Sequence, residues 1–143
     1  MRGAIVDVWH CDAQGIYSDV RDPRFGTRGK KFLRGYQQAD GSGIVTFQTI
    51  YPGWYEGRAV HIHFKIRSSL DARSVQEFTS QLYFDEAVTD QVFKQKPYGA
   101  KHGRRVANDA HCLFRRRGNE LLLTPTKVSG GYAPTFSIGL QGS

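Results

Sequence analysis

The fold is decided by the stretch VHIHFKI at residues 60–66, in which apolar and polar side chains alternate. Successive side chains of a β-strand point to opposite faces, so Ile62 and Phe64 share one face, and His61 and His63 share the other. The stretch therefore predicts a half-buried strand that carries two imidazoles side by side.

The rest of the chain favours strands over helices. The sequence contains 16 glycines and little helical periodicity, and short strand-like runs recur between turn signals. The predicted strands are residues 4–9, 32–37, 44–50, 60–66, 80–84 and 133–140, the last of which closes the sheet. Asp85 to Gln95 predicts the one short helix, and residues 96–109 predict a long polar loop. We therefore predict a mostly β fold, a β-sandwich of antiparallel strands with one short helix and long loops.

Length and composition narrow the class of protein. A chain of 143 residues with 39% hydrophobic residues fits a single domain, residues 1–143. No apolar run is long enough to cross a bilayer and no signal segment is visible, so we predict no membrane partner. The net charge of +7 comes largely from residues 94–105 and 115–117, which lack any nucleic-acid-binding pattern, so we predict no nucleic-acid partner. Cys11 and Cys112 match no metal motif, and whether they form a disulfide stays open.

Four side chains suggest metal chemistry. His61 and His63 form half of a metal site, although such a pair alone is often only packed or hydrogen-bonded. Tyr55 precedes them after a Pro-Gly turn, and Tyr17 follows the first strand. A phenolate is a hard anionic donor that needs a strong Lewis acid, and ferric iron is such an ion. Zinc more usually takes cysteine or carboxylate with histidine, and ferrous oxygenases usually take two histidines and a carboxylate.

Several ordered motifs resemble the intradiol ring-cleavage dioxygenases, the catechol and protocatechuate type. They are residues 6–9, 12–18, 40–43, 47–50, 52–55, 58–64 and 80–84. The resemblance is strong from Ile5 to Phe84 and loose beyond. It implies a non-haem Fe(III) cofactor bound by Tyr17, Tyr55, His61 and His63.

The same resemblance implies the reaction and the catalytic residues. A catechol-type substrate binds the iron, displacing Tyr55, and O2 cleaves the ring between the two hydroxylated carbons to a cis,cis-muconate-type diacid. Arg58 and Gln81 match a pair of residues beside the substrate. A guanidinium there would stabilise the negative charge that develops on the ring. The expected catalytic residues are therefore Arg58, Gln81 and Tyr55, whereas Trp9 is expected in the core behind the iron.

The chain also departs from the family pattern. It begins almost on the first metal-bearing strand, so we expect that an N-terminal edge element is missing, supplied by another chain or lost by truncation. The spacing from Tyr55 to His61 is short, which opens the pocket and leaves the identity of the catechol undecided. Residues 9–12 resemble a compact, often secreted branch, a weak indication of export for a chain whose localisation is otherwise unknown. The oligomeric state stays open.

Two other functions are compatible with the same residues. One is a transthyretin-like β-sandwich binding module without turnover, and the other is a zinc or other metal-dependent hydrolase that uses His61 and His63. Phenolate bound to ferric iron is coloured, whereas a binding module or a zinc enzyme is colourless.

Overall fold

The computed structural model describes residues 1–68 and 76–140. The elements, in chain order, are β1 (Ile5–Trp9), β2 (Arg21–Asp22), β3 (Phe25–Gly26), β4 (Arg34–Gln38), β5 (His61–Arg67), β6 (Glu77–Phe84), α1 (Glu86–Phe93), β7 (Leu122–Leu123), β8 (Thr126–Val128) and β9 (Gly131–Ala133). Short 3₁₀ turns connect α1 to β7. No helix in these two ranges is long and apolar enough to span a membrane.

The central sheet has five strands in the order β4-β1-β5-β6-β7. Neighbouring strands are antiparallel, except that β7 lies parallel to β6. Trp9 lies opposite both Arg34 and His63, and His63 lies opposite Gln81. Directly opposed residues share a face of a sheet. One row across four strands therefore contains Arg34, Trp9, His63 and Gln81.

The other face of the sheet carries the hydrophobic core. One cluster forms around Phe64 and Ile66, with Val6 and Val8 packed against it, and a second forms around Val60, Phe84 and Leu123. Fully burying such a side chain contributes roughly 1.5–3 kcal/mol to folding.

Extended segments cover this core face as the second layer of the sandwich. Residues 44–54 contribute Val45 to the first cluster and Tyr51 to the second, and residues 134–140 contribute Leu140 and Phe136. The mostly β, antiparallel architecture with one helix confirms the predicted fold class.

Two predicted strands are wrong. Residues 44–50 are extended, and Val45 and Phe47 are the less exposed positions, but the segment belongs to no strand ladder within the described ranges. Residues 133–140 do not close the sheet, because Ala133 ends β9, which pairs only with β8 in the described structure. Pro134 follows, and a proline has no N–H with which to continue a ladder.

The predicted helix is confirmed with slightly narrower bounds. Asp85 caps α1, and its carboxylate accepts hydrogen bonds from the backbone N–H groups of Ala87 and Val88. The loop that follows, residues 96–109, is held to the rest of the domain by side-chain contacts. Tyr98 Oη donates to the carbonyl oxygen of Tyr51 at 2.8 Å, and the Arg105 guanidinium pairs with carboxylates on α1.

Candidate metal centre

His61 and His63 lie on the face of the sheet opposite the core, because they alternate with Phe64 and Ile66 along β5. The indole of Trp9 stacks on the His63 imidazole with ring centroids 5.0 Å apart and planes 4° apart. The prediction that Trp9 lies in the core is therefore wrong. The strand period places it beside the histidines instead, where it fixes the plane of one imidazole.

Two loops bring the tyrosines to this face. The Asp12 carboxylate accepts hydrogen bonds from the backbone N–H groups of Gln14 and Ile16, which closes a tight turn before Tyr17. Gly53 N–H donates to the Asp12 carbonyl oxygen at 3.0 Å and connects this turn to the loop that carries Tyr55.

Two glycines make this approach of the loops possible. A Cβ at Gly53 would lie 2.5 Å from the Asp12 carbonyl oxygen, and one at Gly15 would lie 2.1 Å from that of Trp54. Gly15 also has a φ of +82°, which disfavours other residues. The two loops therefore contact each other through their backbones, and the rings of Tyr17 and Tyr55 meet edge to face, 5.6 Å apart.

A lysine from the long loop joins the same two loops. The Lys101 ammonium group donates to the carbonyl oxygens of Gln14 at 2.6 Å and Trp54 at 2.5 Å. It also lies 4.5 Å from the centroid of the Trp54 ring, a cation–π distance. One side chain thereby holds both tyrosine-bearing loops together.

The four predicted metal ligands converge on one point. Nε2 of His61 lies 3.1 Å from Nε2 of His63, 3.2 Å from Oη of Tyr55 and 3.3 Å from Oη of Tyr17. Nδ1 of His61 lies 2.6 Å from the Ala59 carbonyl oxygen, which can only accept, so Nδ1 carries the proton. Nε2 therefore offers a single lone pair to three facing groups, more than hydrogen bonding alone can satisfy.

Burial keeps these four groups neutral in the absence of a cation. Burial, with a smaller contribution from the nearby Arg58 cation, lowers the pKa of His61 to about 3 and that of His63 to about 4. Burial also raises the pKa of Tyr17 and of Tyr55, and the adjacent Tyr55 phenol adds to the shift at Tyr17. A highly charged cation would reverse the tyrosine shifts by stabilising the phenolates.

The donor set fits a ferric ion. Ligand atoms about 2 Å from one metal ion lie about 3 Å from one another, the spacing found around His61 Nε2. Within residues 1–68 and 76–140, no group of three or more His, Cys, Asp or Glu side chains is suited to hold a metal ion. The two tyrosine oxygens lie 3.2 and 3.3 Å from His61 Nε2 and are hard donors suited to a trivalent ion.

A polar network lies beside the donors. Arg58 Nη2 donates to Oε1 of Gln81 at 2.8 Å, and Arg58 Nε donates to Nε2 of His111 at 2.9 Å. Oε1 of Gln81 also accepts a hydrogen bond from the Tyr83 hydroxyl at 3.1 Å. The structure thus brings the predicted residues Arg58 and Gln81 together, and it adds Tyr83 and His111, which the sequence analysis did not identify.

The two cysteines are in different environments, and both are free thiols. Cys11 is buried beside the site, where its Sγ donates to the Gly53 carbonyl oxygen at 3.4 Å. Burial and the Asp12 carboxylate raise the pKa of Cys11 to about 12. Cys112 is exposed, next to His111.

Comparison with known proteins identifies the family. A family model described as Dioxygenase matches residues 1–112. The fold is also similar to that of an intradiol ring-cleavage dioxygenase from Tetranychus urticae, with a TM-score of 0.81 and 30% identity over 94% of this chain. The chain belongs to the intradiol ring-cleavage dioxygenase family. This confirms the resemblance found in the sequence.

This intradiol dioxygenase family member is also similar to two bacterial proteins. The dioxygenase domain of a carbohydrate-binding fusion protein from Streptomyces sp. SirexAA-E gives a TM-score of 0.61 at 26% identity over 95% of this chain. Chlorocatechol 1,2-dioxygenase of Pseudomonas putida is 26% identical over 103 residues, which cover 59% of this chain.

The chain is shorter than these relatives. It spans 36% of the length of the Pseudomonas protein, 69% of the Tetranychus chain and 66% of the Streptomyces chain.

Proposed function

We propose that the chain binds one ferric ion through Tyr17, Tyr55, His61 and His63 and uses O2 to cleave the ring of a catechol-type substrate between its two hydroxylated carbons. The product would be a cis,cis-muconate-type diacid. The observation that carries the proposal is the convergence of two phenol oxygens and an imidazole nitrogen on His61 Nε2, at 3.1–3.3 Å.

A ferric ion in this position would supply a Lewis acid that binds both catechol oxygens and makes the ring reactive toward O2. The protein orients its own ligands for this. The Ala59 carbonyl oxygen fixes the tautomer of His61, and the Trp9 indole fixes the plane of His63. We assign to Tyr55 Oη, which would be a phenolate on the ferric ion, the uptake of one catechol proton, following the role that the family resemblance implies for Tyr55.

Arg58 and Gln81 would act on the bound ring. The Arg58 guanidinium is close enough to the donor atoms to lower the pKa values of both metal-site histidines, beyond the larger effect of burial. The same positive charge would stabilise negative charge that develops on the catecholate as it reacts. Gln81 holds one edge of the guanidinium through the 2.8 Å hydrogen bond from Nη2.

Family membership supports the class of substrate. The Pseudomonas relative is named for chlorocatechol, and the Tetranychus relative for intradiol ring cleavage. We therefore propose a catechol, unsubstituted or simply substituted, as the substrate, with O2 as the second reactant.

The direct experiment combines iron analysis, absorption spectroscopy and product analysis on the purified chain. We expect about one ferric ion per chain, a visible phenolate-to-iron band, and consumption of catechol and O2 to a diacid. His61→Ala and His63→Ala should lose the iron and the colour, because two phenols and one imidazole leave the site incomplete. His102→Ala is the matched control, since His102 is exposed, and it should keep both.

Other outcomes would contradict the proposal in distinct ways. Full iron retention in His61→Ala or His63→Ala would refute the ligand assignment. A yellow semialdehyde product would mean cleavage outside the diol. A colourless protein that binds a catechol without consuming it would instead favour a binding module on the same scaffold.

A further inference from the structure

His111 is a buried imidazole in direct contact with the catalytic network. It follows the 3₁₀ turn Asn108–Ala110 and is only 3% exposed. Its Nε2 accepts the hydrogen bond from Arg58 Nε at 2.9 Å, across 53 residues of sequence. The proposed function assigns no role to this residue.

The contact with Arg58 defines the proton positions on the ring. A guanidinium can only donate, so Nε2 of His111 must be the unprotonated nitrogen and Nδ1 must carry the hydrogen. Nδ1 is buried and has no hydrogen-bond partner in the described part of the chain. A buried donor without an acceptor costs stability. Folding alone therefore does not explain a histidine at this position.

The backbone that carries the imidazole is itself held in place by hydrogen bonds. The His111 backbone N–H donates to the Asn108 carbonyl oxygen at 3.0 Å, and Asn108 Nδ2 donates to the carbonyl oxygen of Phe84 at 2.8 Å. The Asn108 N–H also donates to the Glu86 carboxylate at 2.6 Å. His111 is thus fixed to the junction of β6 and α1, outside the loop that carries Arg58.

Arg58 depends on such external support. It lies in the irregular segment between Gly57 and β5, and its guanidinium is held by two hydrogen bonds, from Nε to His111 and from Nη2 to Gln81. Gln81 is fixed in turn by the Tyr83 hydroxyl. Without the acceptor at His111, the guanidinium would be held by one hydrogen bond only and could rotate away from the reacting ring.

We infer that His111 is a positioning residue, which orients the Arg58 guanidinium toward the catecholate by accepting the Nε–H hydrogen bond. The inference rests on the proposed ring cleavage for its effect on rate, whereas the hydrogen bond to Arg58 stands apart from it. Burial and the Arg58 cation lower the pKa of His111, which keeps the acceptor lone pair available.

The test compares one substitution that removes the acceptor with one that retains an acceptor. His111→Phe keeps an aromatic ring against Tyr83 but removes the acceptor, whereas His111→Gln offers an amide oxygen near the position of Nε2. In the iron-loaded enzyme, we expect His111→Phe to lower kcat for catechol by about 10- to 100-fold with little change in KM, and His111→Gln to recover most of that loss. Iron content and the visible band should be unchanged in both.

Two further measurements separate positioning from a structural role. The denaturation midpoint of His111→Phe should not fall, because the substitution removes the buried Nδ1–H. Val92→Ala is the control that lowers the midpoint by truncating a core residue of α1, and it should leave kcat unchanged. Hydrogen exchange at Arg58 Nε–H, followed by NMR in the gallium-loaded chain, should be faster in His111→Phe than in the wild type.

The outcomes are distinguishable from failure of the proposed function. Wild-type kcat in His111→Phe, or a His111→Gln variant as slow as His111→Phe, would overturn the inference. Unchanged exchange at Arg58 Nε–H would overturn it even if the chain turned over no catechol. Accelerated exchange in a chain without dioxygenase activity would refute the ring-cleavage proposal and retain the His111–Arg58 contact.

Discussion

The guanidinium of Arg58 acts on the site in two ways, through hydrogen bonds and through its charge. It donates to His111 and Gln81, and its field adds to burial in lowering the pKa values of His61 and His63. A preorganised charge of this kind need not reorient during the reaction, which is why it stabilises a transition state effectively.

We expect Arg58→Ala to reduce kcat by about 100-fold, or ~3 kcal/mol, because stabilisation of the developing charge is lost. Arg58→Lys should recover only part of the rate, since an ammonium group cannot reproduce the planar fork that meets two partners. Steady-state kinetics of the iron-loaded variants measure both effects.

Iron content should be unchanged in the Arg58 variants, and Arg24→Ala, which alters an exposed arginine, should match the wild type. Wild-type turnover in Arg58→Ala would show that the guanidinium has no catalytic role.

At the level of residues, the sequence analysis named Arg58 and Gln81 but missed two of their partners, Tyr83, which lies on a quoted motif, and His111, which does not. Tyr83 lies two positions after Gln81 on β6, so the strand period alone could have predicted that both share the site face. His111 had no comparable signal. A lone histidine after a long polar loop has no periodicity, and its role depends on where the Arg58 Nε comes to lie in three dimensions.

Among the elements, the two loops that carry Tyr17 and Tyr55 pack so closely that their contact leaves no room for a Cβ at Gly53. Gly53→Ala should disrupt it, because the new Cβ would lie 2.5 Å from the Asp12 carbonyl oxygen. We expect a loss of about 1–3 kcal/mol in the free energy of unfolding, together with weaker iron binding as Tyr55 moves.

Chemical denaturation and iron retention during dialysis measure these two effects. Gly139→Ala is the matched control, since a Cβ there meets nothing within 4 Å. An unfolding midpoint for Gly53→Ala equal to that of the control would mean that the loops tolerate separation.

The predicted strands are correct where an extended segment also finds a neighbouring strand with which to form backbone hydrogen bonds. β1, β4, β5 and β6 each overlap a strand-like run that the sequence predicted, although alternation was clear only for β5. Residues 44–50 were also predicted as a strand, but a strand-like run specifies only an extended backbone. A strand also needs a neighbouring backbone in register, and that information lies elsewhere in the chain.

For the molecule as a whole, the buried histidines couple folding to pH. His61 and His63 have pKa values of about 3 and about 4 in the folded chain, against an ordinary value of 6.5. Below pH 6.5 the unfolded chain binds protons that the folded chain excludes. Stability should therefore fall as the pH decreases from 6.5 toward 4, by up to about 1.4 kcal/mol per pH unit for each histidine.

Urea denaturation of the chelator-treated protein at pH 7 and pH 5 tests this coupling. Burial also lowers the pKa of His10, which adds to the trend. A His61→Asn, His63→Asn double variant should show a shallower dependence, since two of the titrating groups are gone. Equal stability of the metal-free wild type at both pH values would contradict the assignment of neutral imidazoles.

Because the two thiols differ in accessibility, Cys112 can be labelled selectively in the native chain. Only a thiolate reacts readily, so the pKa of about 12 should protect Cys11, whereas Cys112 is open to solvent. A thiol reagent should titrate one sulfur in the folded protein and two after denaturation. A fluorophore would then sit one residue from His111 without any engineered cysteine, and could report in real time when a catechol enters.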